Sequence, residues 1–209
     1  MSSMPPQASR IDYPAPDPAK PYVYPGTPVL INLFDIRSLD MLDRVVETIA
    51  GLRGEQLEAA PLAGEFDLAH LCSVHRALFR DVFAWAGQVR TVDTERQGQD
   101  FVPAAQIAAR CADIHSALQA DGFLHGLDPE SFADRLADYF YDLYAVHPFR
   151  DGNSRTLRHF FAELAAAAGY RLQYAAIERT ALLAACRQRY FKADGVALRN
   201  CMRRICLPR

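Results

Sequence analysis

Hydrophobic residues recur every three or four positions along most of the chain beyond residue 28, and this spacing predicts a run of α-helices. The first helix begins after Ser38, an N-cap candidate, and the second covers about 66–87, with Gly87 as its predicted end. Asp128 and Pro129 form a strong start signal for a later helix. The remaining predicted helices cover about 104–120, 128–147, 152–168, 174–190 and 194–206.

The hydrophobic period changes between the second and third of these helices. The stretch QVRTVDTERQGQDFVP alternates around a polar centre that contains glycine. This pattern predicts a short β-hairpin in which Val89–Val92 pairs with Asp100–Val102. We therefore predict an all-α fold, a helical bundle with one inserted β-hairpin.

Residues 1–28 differ in composition from the rest of the chain and hold most of the prolines. Such a segment lacks the apolar periodicity needed to pack by itself. We expect a Pro-rich N-terminal arm that Tyr22 and Tyr24 hold against the domain. Residues 29–209 contain no repeat and no linker, which predicts a single domain.

The bulk composition narrows the classes of function. The chain has 209 residues and a formal net charge of −2, so no basic field favours direct nucleic-acid binding or an anionic membrane. No apolar run is long enough for a membrane span, and the N-terminus has no apolar core of a signal peptide. The odd number of cysteines, five, argues against a disulfide framework and favours the cytoplasm.

Two clusters outside the main motif have structural interpretations. His70, Cys72 and His75 lie close together on the second predicted helix, but no second ligand motif completes a metal site. We predict packing roles for these three residues. The basic C-terminal stretch RNCMRRICLPR is typical of a solvated last helix rather than of a nucleic-acid contact.

The stretch VHPFRDGNSRTLRHFF, residues 146–161, has the densest chemistry in the chain. Pro148 disfavours the helical conformation at His147, so the helix should end there and leave the imidazole on a bend. Histidine is the side chain best suited to accept a proton near neutral pH. Asp151 follows, and its residue type fits two roles: a Mg²⁺ ligand beside phosphate-binding groups, or a cap of the next helix, which is compatible with metal binding.

Small residues then open the next helix at Gly152, Asn153 and Ser154. Their backbone N–H groups, at the positive end of a helix dipole, are suited to binding an anion. Arg155 and Arg158 are three positions apart and share one helical face. Together these groups indicate a polyphosphate site with His147 at its edge. We therefore predict nucleotidyl or phosphoryl transfer to a hydroxyl group of a second substrate.

The segment HPFRDGNSRTLR resembles the Fic-domain signature HPFx(D/E)GNGRxxR. YPGTPVLINL, VHRALFRDVFAWAGQVRTVD and AGYRL also resemble Fic proteins of the bacterial toxin type, and the similarity covers about residues 22–206. The resemblance implies the Fic fold, in which the inserted hairpin is a flap over the active site. It also implies transfer of AMP from ATP to a Ser, Thr or Tyr hydroxyl of a target protein, with pyrophosphate as the leaving group.

The resemblance also implies a role for each matching residue. His147 is then the general base, Asp151 the Mg²⁺ ligand and Arg158 the contact of the γ-phosphate. The phosphate-binding residues are Gly152, Asn153, the Ser154 backbone, Arg155 and Arg158. The flap residues expected to align the target segment by strand addition are Val89, Arg90, Thr91, Val92 and Phe101.

Ser154 departs from the signature, which has glycine at this position. If the position needs positive φ, serine costs about 1 kcal/mol or more. Three functions therefore stay open: AMP transfer, transfer of a different phosphate-containing group, and a weakened or inactive protein that binds a nucleotide or a partner.

Many Fic proteins carry an inhibitory helix with the motif (S/T)xxxE(G/N), whose glutamate pairs with the second arginine. The nearest match here, TVDTER, has Thr91 and Glu95 but Arg96 at the last position, and it lies in the predicted hairpin. The resemblance therefore implies that a separate small antitoxin supplies a glutamate to Arg158. It also suggests type II topoisomerase subunits as targets.

Overall fold

The computed structural model of the chain describes residues 21–178 and 180–209, and helices make up most of this part. Its seven α-helices are α1 (Leu39–Ala59), α2 (Leu68–Phe79), α3 (Ile107–Ala120), α4 (Pro129–Val146), α5 (Asn153–Ala167), α6 (Ala181–Lys192) and α7 (Val196–Ile205). None of these helices combines the length and the apolar character that crossing a bilayer requires. The all-α prediction is confirmed.

Two helix starts follow from local capping, as predicted. Ser38 caps α1 by accepting a hydrogen bond from the Met41 N–H. Asp128 caps α4 by accepting from the Glu130 and Ser131 N–H groups, with Pro129 in the first turn. These side chains satisfy N–H groups that have no partner within the helix.

The predicted end of the second helix at Gly87 is wrong, because α2 ends at Phe79. The following residues leave the helical path to make tertiary hydrogen bonds. The Val82 carbonyl accepts from the Leu33 N–H at 2.8 Å, and the Gly87 N–H donates to His75 Nδ1 at 2.7 Å. Such long-range contacts override local helical periodicity.

The predicted hairpin exists, but its strands are shorter and displaced. β1 (Glu95–Arg96) pairs antiparallel with β2 (Gln99–Asp100). The ends of the predicted strands bond to the segment around His147 instead. The Arg90 N–H donates to the Pro148 carbonyl at 2.9 Å, and the Val102 N–H donates to the Ala145 carbonyl at 3.1 Å.

A second antiparallel pair was not predicted. It joins β3 (Tyr170–Leu172), directly after α5, to β4 (Cys206–Pro208), directly after α7. This pairing also shortens the sixth helix relative to the prediction of 174–190. The Gln173 N–H donates to the Ile205 carbonyl at 2.8 Å, a short 3-10 helix covers Tyr174–Ala176, and α6 starts only at Ala181.

Two hydrophobic clusters hold the helices together. The larger cluster surrounds α4 and joins it to α3, α5, α6 and α7, whereas the smaller one joins α1 and α2 to the segment before α1. Tyr24 is buried in the smaller cluster, and the Tyr22 hydroxyl accepts from the Thr91 N–H at 3.0 Å. These contacts confirm the predicted anchoring role of the two tyrosines. The rest of the predicted N-terminal arm, residues 1–20, lies outside the described part.

Candidate active site

The loop between α4 and α5 carries His147, Asp151 and Gly152, and the other predicted phosphate-binding residues follow in α5. His147 ends α4 in the left-handed conformation with φ 50°, and Gly152 precedes α5 with φ 80°. The buried side chain of Asn153 closes this loop. Its Oδ1 accepts from the Phe149 N–H at 2.9 Å, and its Nδ2 donates to the Phe149 carbonyl at 2.8 Å. Asn153 can therefore offer only its backbone N–H to an anion.

Gly152 is the residue of the signature that requires glycine in this structure. A Cβ atom added to it would lie 2.5 Å from Cε2 of Phe79, which is buried, and the positive φ adds strain for any side chain. Ser154 differs, because it lies in the first turn of α5 and is not among the residues with positive φ. The backbone strain expected for serine at this position is therefore absent.

The side chain of His75 supports the loop through a hydrogen bond and a ring contact. Its Nδ1 accepts from the Gly87 N–H, so Nε2 carries the proton and donates to the Asp151 carbonyl at 3.1 Å. The ring stacks on Phe149 with 3.9 Å between the centroids. Burial lowers the pKa of His75 to about 4, which keeps the imidazole neutral in this dual role.

His147 lies against the hydrophobic base of the hairpin. Its ring stacks on Phe101 with 3.8 Å between the centroids and an interplanar angle of 14°. Desolvation lowers the pKa of His147 to about 3, and the charges of Arg90 and Arg96 act in the same direction. The imidazole is therefore neutral in the resting chain, despite its position at a helix C-terminus.

Arg90 is not a surface residue, although we predicted it to contact a target. The residue is 2% exposed, and its guanidinium donates to backbone carbonyls of two segments. Nε donates to the His147 carbonyl at 2.8 Å and Nη1 to the Val92 carbonyl at 2.7 Å. Nη2 donates to the Val146 carbonyl at 3.2 Å and also to the Val102 carbonyl. A guanidinium held in this way cannot reach a target segment.

The other predicted flap residues have different surroundings. Thr91 is exposed, but its hydroxyl lies 3.2 Å from that of Tyr22. Val89 and Val92 are half-buried, and Phe101 is buried against His147. None of the four lies in the two strands, so the residues that line the hairpin edges are those of β1 and β2.

Arg155 and Arg158 line one wall of a groove of about 670 Å³ between α5 and α1. The Tyr174 hydroxyl donates to the Arg158 carbonyl at 3.1 Å, and the Arg158 guanidinium lies 6.0 Å from the centre of the Tyr174 ring. The opposite wall includes carboxylates of α1 from Glu47, Glu55 and Glu58. The two arginines thus share one face of α5, as their spacing predicted.

Asp151 is exposed beside the N-terminus of α5. Although the residue as a whole is exposed, the surrounding protein desolvates its carboxyl group and raises its pKa. The Gly152 N–H and the charges of the nearby arginines oppose this rise. Residues 21–178 and 180–209 contain no group of three or more side chains suited to holding a metal ion. One exposed carboxylate nevertheless fits Mg²⁺ that takes its other ligands from a triphosphate and water.

Sequence reasoning missed the supporting roles of His75, Arg90 and Tyr174. Each acts on the backbone of the motif from 16 to 76 positions away along the chain. The pattern of hydrophobic positions contains no signal for such contacts. The stacking of His75 on Phe149 agrees with the packing role predicted for it, whereas its hydrogen bonds to the loop were not predicted.

Comparison with protein families finds a match to the Fic/DOC family over residues 65–165. The protein adenylyltransferase VbhT of Bartonella schoenbuchensis is 37% identical over 82% of this chain. A probable protein adenylyltransferase, Fic, of Escherichia coli is 37% identical over 77% of it. The chain spans only 36% of the length of VbhT but 80% of the E. coli protein.

Solved structures share the fold across most of the chain. The BepC protein of Bartonella tribocorum, with bound AMPPNP, has a TM-score of 0.86 at 26% identity, covering 90% of this chain and 97% of that one. An N-terminal Fic domain from Bartonella quintana, with bound ADP, has a TM-score of 0.87 at 26% identity, covering 90% and 95%. Both relatives therefore carry an adenine nucleotide or its analogue on this fold.

Proposed function

Because the chain belongs to the Fic/DOC family, we propose that it is a protein adenylyltransferase that transfers AMP from ATP to a hydroxyl side chain of a target protein. The observation that carries this proposal is the closed loop from His147 to Gly152. It joins a neutral imidazole to the N-terminus of α5 through six consecutive residues. Base and anion site are thereby held at a fixed separation.

The first turn of α5 is the proposed site of the triphosphate. The N–H groups of Asn153 and Ser154 lie in the first turn of α5, where the helix dipole favours an anion. Arg155 and Arg158 add guanidinium groups on the adjoining face. Arg158, one turn further along α5, is the residue proposed to hold the γ-phosphate.

His147 is the proposed general base. Its Nδ1 is buried, which leaves Nε2 as the nitrogen that accepts the hydroxyl proton. As the proton moves to Nε2, the hydroxyl oxygen forms a bond to the α-phosphorus and the bond from this phosphorus to the bridging oxygen breaks. Pyrophosphate leaves, and AMP stays on the target side chain.

Asp151 is the proposed Mg²⁺ ligand. The ion would neutralise charge on the phosphates, and the exposed carboxylate would anchor it beside the first turn of α5. Removal of Mg²⁺ with a chelator is expected to abolish AMP transfer.

The edge of β1, whose two residues are exposed, is the proposed docking site for the target segment. An extended segment that adds to this hairpin would bring its hydroxyl towards His147, which stacks on Phe101 directly after β2. Type II topoisomerase subunits are the first targets to test.

The five cysteines are all free, which supports a reaction in the reducing cytoplasm.

A separate small antitoxin is the proposed inhibitor, with the groove between α1 and α5 as its site. Arg158 lines this groove, so a glutamate on an inserted helix could pair with it. The segment TVDTER cannot replace such a helix. Glu95 lies in β1, and its carboxylate accepts from the Gly98 N–H at 2.7 Å. A peptide with the motif (S/T)xxxE(G/N) should inhibit AMP transfer, and its Glu→Gln form should inhibit less.

Parallel reactions with α-labelled and γ-labelled ATP test the activity. Purified chain, Mg²⁺ and host lysate should give a labelled protein band with the α-label alone, and the band should vanish in His147→Ala. Label from γ-labelled ATP would instead indicate phosphorylation. ATP binding without any transfer would contradict the proposal. It would favour the alternative that Ser154 raises, an inactive protein that binds a nucleotide.

A further inference from the structure

Arg90 is the largest of the side chains that are almost fully buried in the described part of the chain. Four of the five N–H donors that a guanidinium offers can be assigned to backbone carbonyls. The nearest carboxylate in an ion pair with it belongs to Asp93, which is exposed and 3.9 Å away. A buried charge of this kind is stable only with its hydrogen bonds complete, so the four carbonyls must keep their positions.

The four carbonyls come from the two parts of the site that must meet. Val146 and His147 end α4 and carry the proposed base, whereas Val92 and Val102 flank the hairpin proposed to hold the target. The backbone strengthens the connection, because the Arg90 N–H donates to the Pro148 carbonyl. One side chain therefore spans both halves of the site.

We propose that Arg90 is a positioning residue, whose guanidinium fixes the separation and orientation of the His147 backbone relative to both ends of the hairpin. This inference rests on the proposed AMP transfer for its kinetic consequence. The planar fork of arginine donates in several fixed directions, whereas the ammonium of lysine is a point charge with three donors. Lysine at this position keeps the charge but cannot satisfy the four carbonyls.

The test compares Arg90→Lys with Arg110→Lys. Arg110 is exposed on α3 and pairs with Asp113 at 3.3 Å, so it supplies the same substitution away from the site. We expect Arg90→Lys to lower kcat at least about tenfold with KM for ATP changed less than about threefold, because the phosphate-binding turn of α5 is untouched. Arg110→Lys should leave both constants unchanged.

Amide hydrogen exchange provides a second readout that does not depend on catalysis. The N–H groups of Arg90 and Val102, which bond to the segment around His147, should exchange at least about tenfold faster in Arg90→Lys, while amides of α3 keep their rates. If the wild-type chain transfers no AMP, the proposed function fails, and the exchange comparison still decides the role of Arg90.

Three results would overturn the proposal. The first is a folded Arg90→Lys variant with wild-type kcat and wild-type exchange at both amides. The second is faster exchange throughout the chain, because this indicates general loss of stability rather than a local positioning role. Should Arg90→Lys fail to fold, exchange in the wild-type chain decides: protected Arg90 and Val102 amides support the proposal, and unprotected ones are the third contrary result.

Discussion

Replacing Gly152 by alanine tests whether the loop between α4 and α5 depends on a close backbone approach to the core. Two costs are expected at this position. The first is backbone strain, because φ is +80° and a left-handed residue with a Cβ costs about 1–2 kcal/mol. The second is a clash, because the new Cβ would lie 2.5 Å from Cε2 and 2.6 Å from Cζ of Phe79.

The clash should be the larger cost. Real Cβ atoms essentially never approach closer than 3.0 Å, so the ring or the loop must move. Phe79 is 1% exposed, and its ring centroid is 4.8 Å from that of His75, which leaves it little room. Overpacking of this kind typically costs about 1–3 kcal/mol. Allowing for the lower entropy of the unfolded alanine chain, we expect Gly152→Ala to cost about 2–4 kcal/mol in total.

Gly126→Ala is the matched control. Its φ is +74°, and an added Cβ would meet nothing within 4 Å, so it carries the backbone strain without the clash. Urea unfolding of both variants measures the two costs, and Gly126→Ala should lower the free energy of unfolding by only about 1 kcal/mol. The double variant Gly152→Ala with Phe79→Leu should cost less than the sum of its single changes. Equal destabilisation of the two alanine variants would refute the argument for a close approach.

Three further predictions concern the same loop. Asn153→Ala should lower the stability by about 2–4 kcal/mol and lower kcat, because it leaves the buried N–H and carbonyl of Phe149 without partners. Urea unfolding measures this cost, with Asn200→Ala at an exposed position as the control. Ser154→Gly should lower the stability by about 0.5–1 kcal/mol and leave kcat within about threefold of the wild-type value, since Ser154 is already helical. A kcat raised about tenfold or more in the AMP-transfer assay would contradict this expectation. His75 should make the free energy of unfolding fall as the pH drops below 6.5, because its imidazole binds a proton in the unfolded chain but, with a pKa of about 4, not in the folded one. The free energies of unfolding at pH 6.5 and pH 5 should differ by about 2 kcal/mol from this group. His75→Gln should show a smaller difference.

The sequence predicted those features that depend on neighbouring residues. The caps at Ser38 and Asp128 are local choices, and the structure confirms both of them. The predicted strand Val89–Val92 failed for a different reason. The Arg90 and Thr91 N–H groups donate to Pro148 and Tyr22, more than fifty positions away, and alternation of hydrophobic residues cannot distinguish this arrangement from hairpin pairing.

The same distinction applies inside the site. The chemical groups of the site could be assigned from one stretch of sixteen residues, because the residue type alone identifies an imidazole, a carboxylate or a guanidinium group. Their geometry depends on His75, Phe79 and Arg90, which lie in or after α2 and contact the loop across the fold. Substitutions in 75–102 should therefore change the position and pKa of the base even where residues 147–158 are intact. An unchanged motif is then insufficient grounds for expecting an unchanged rate.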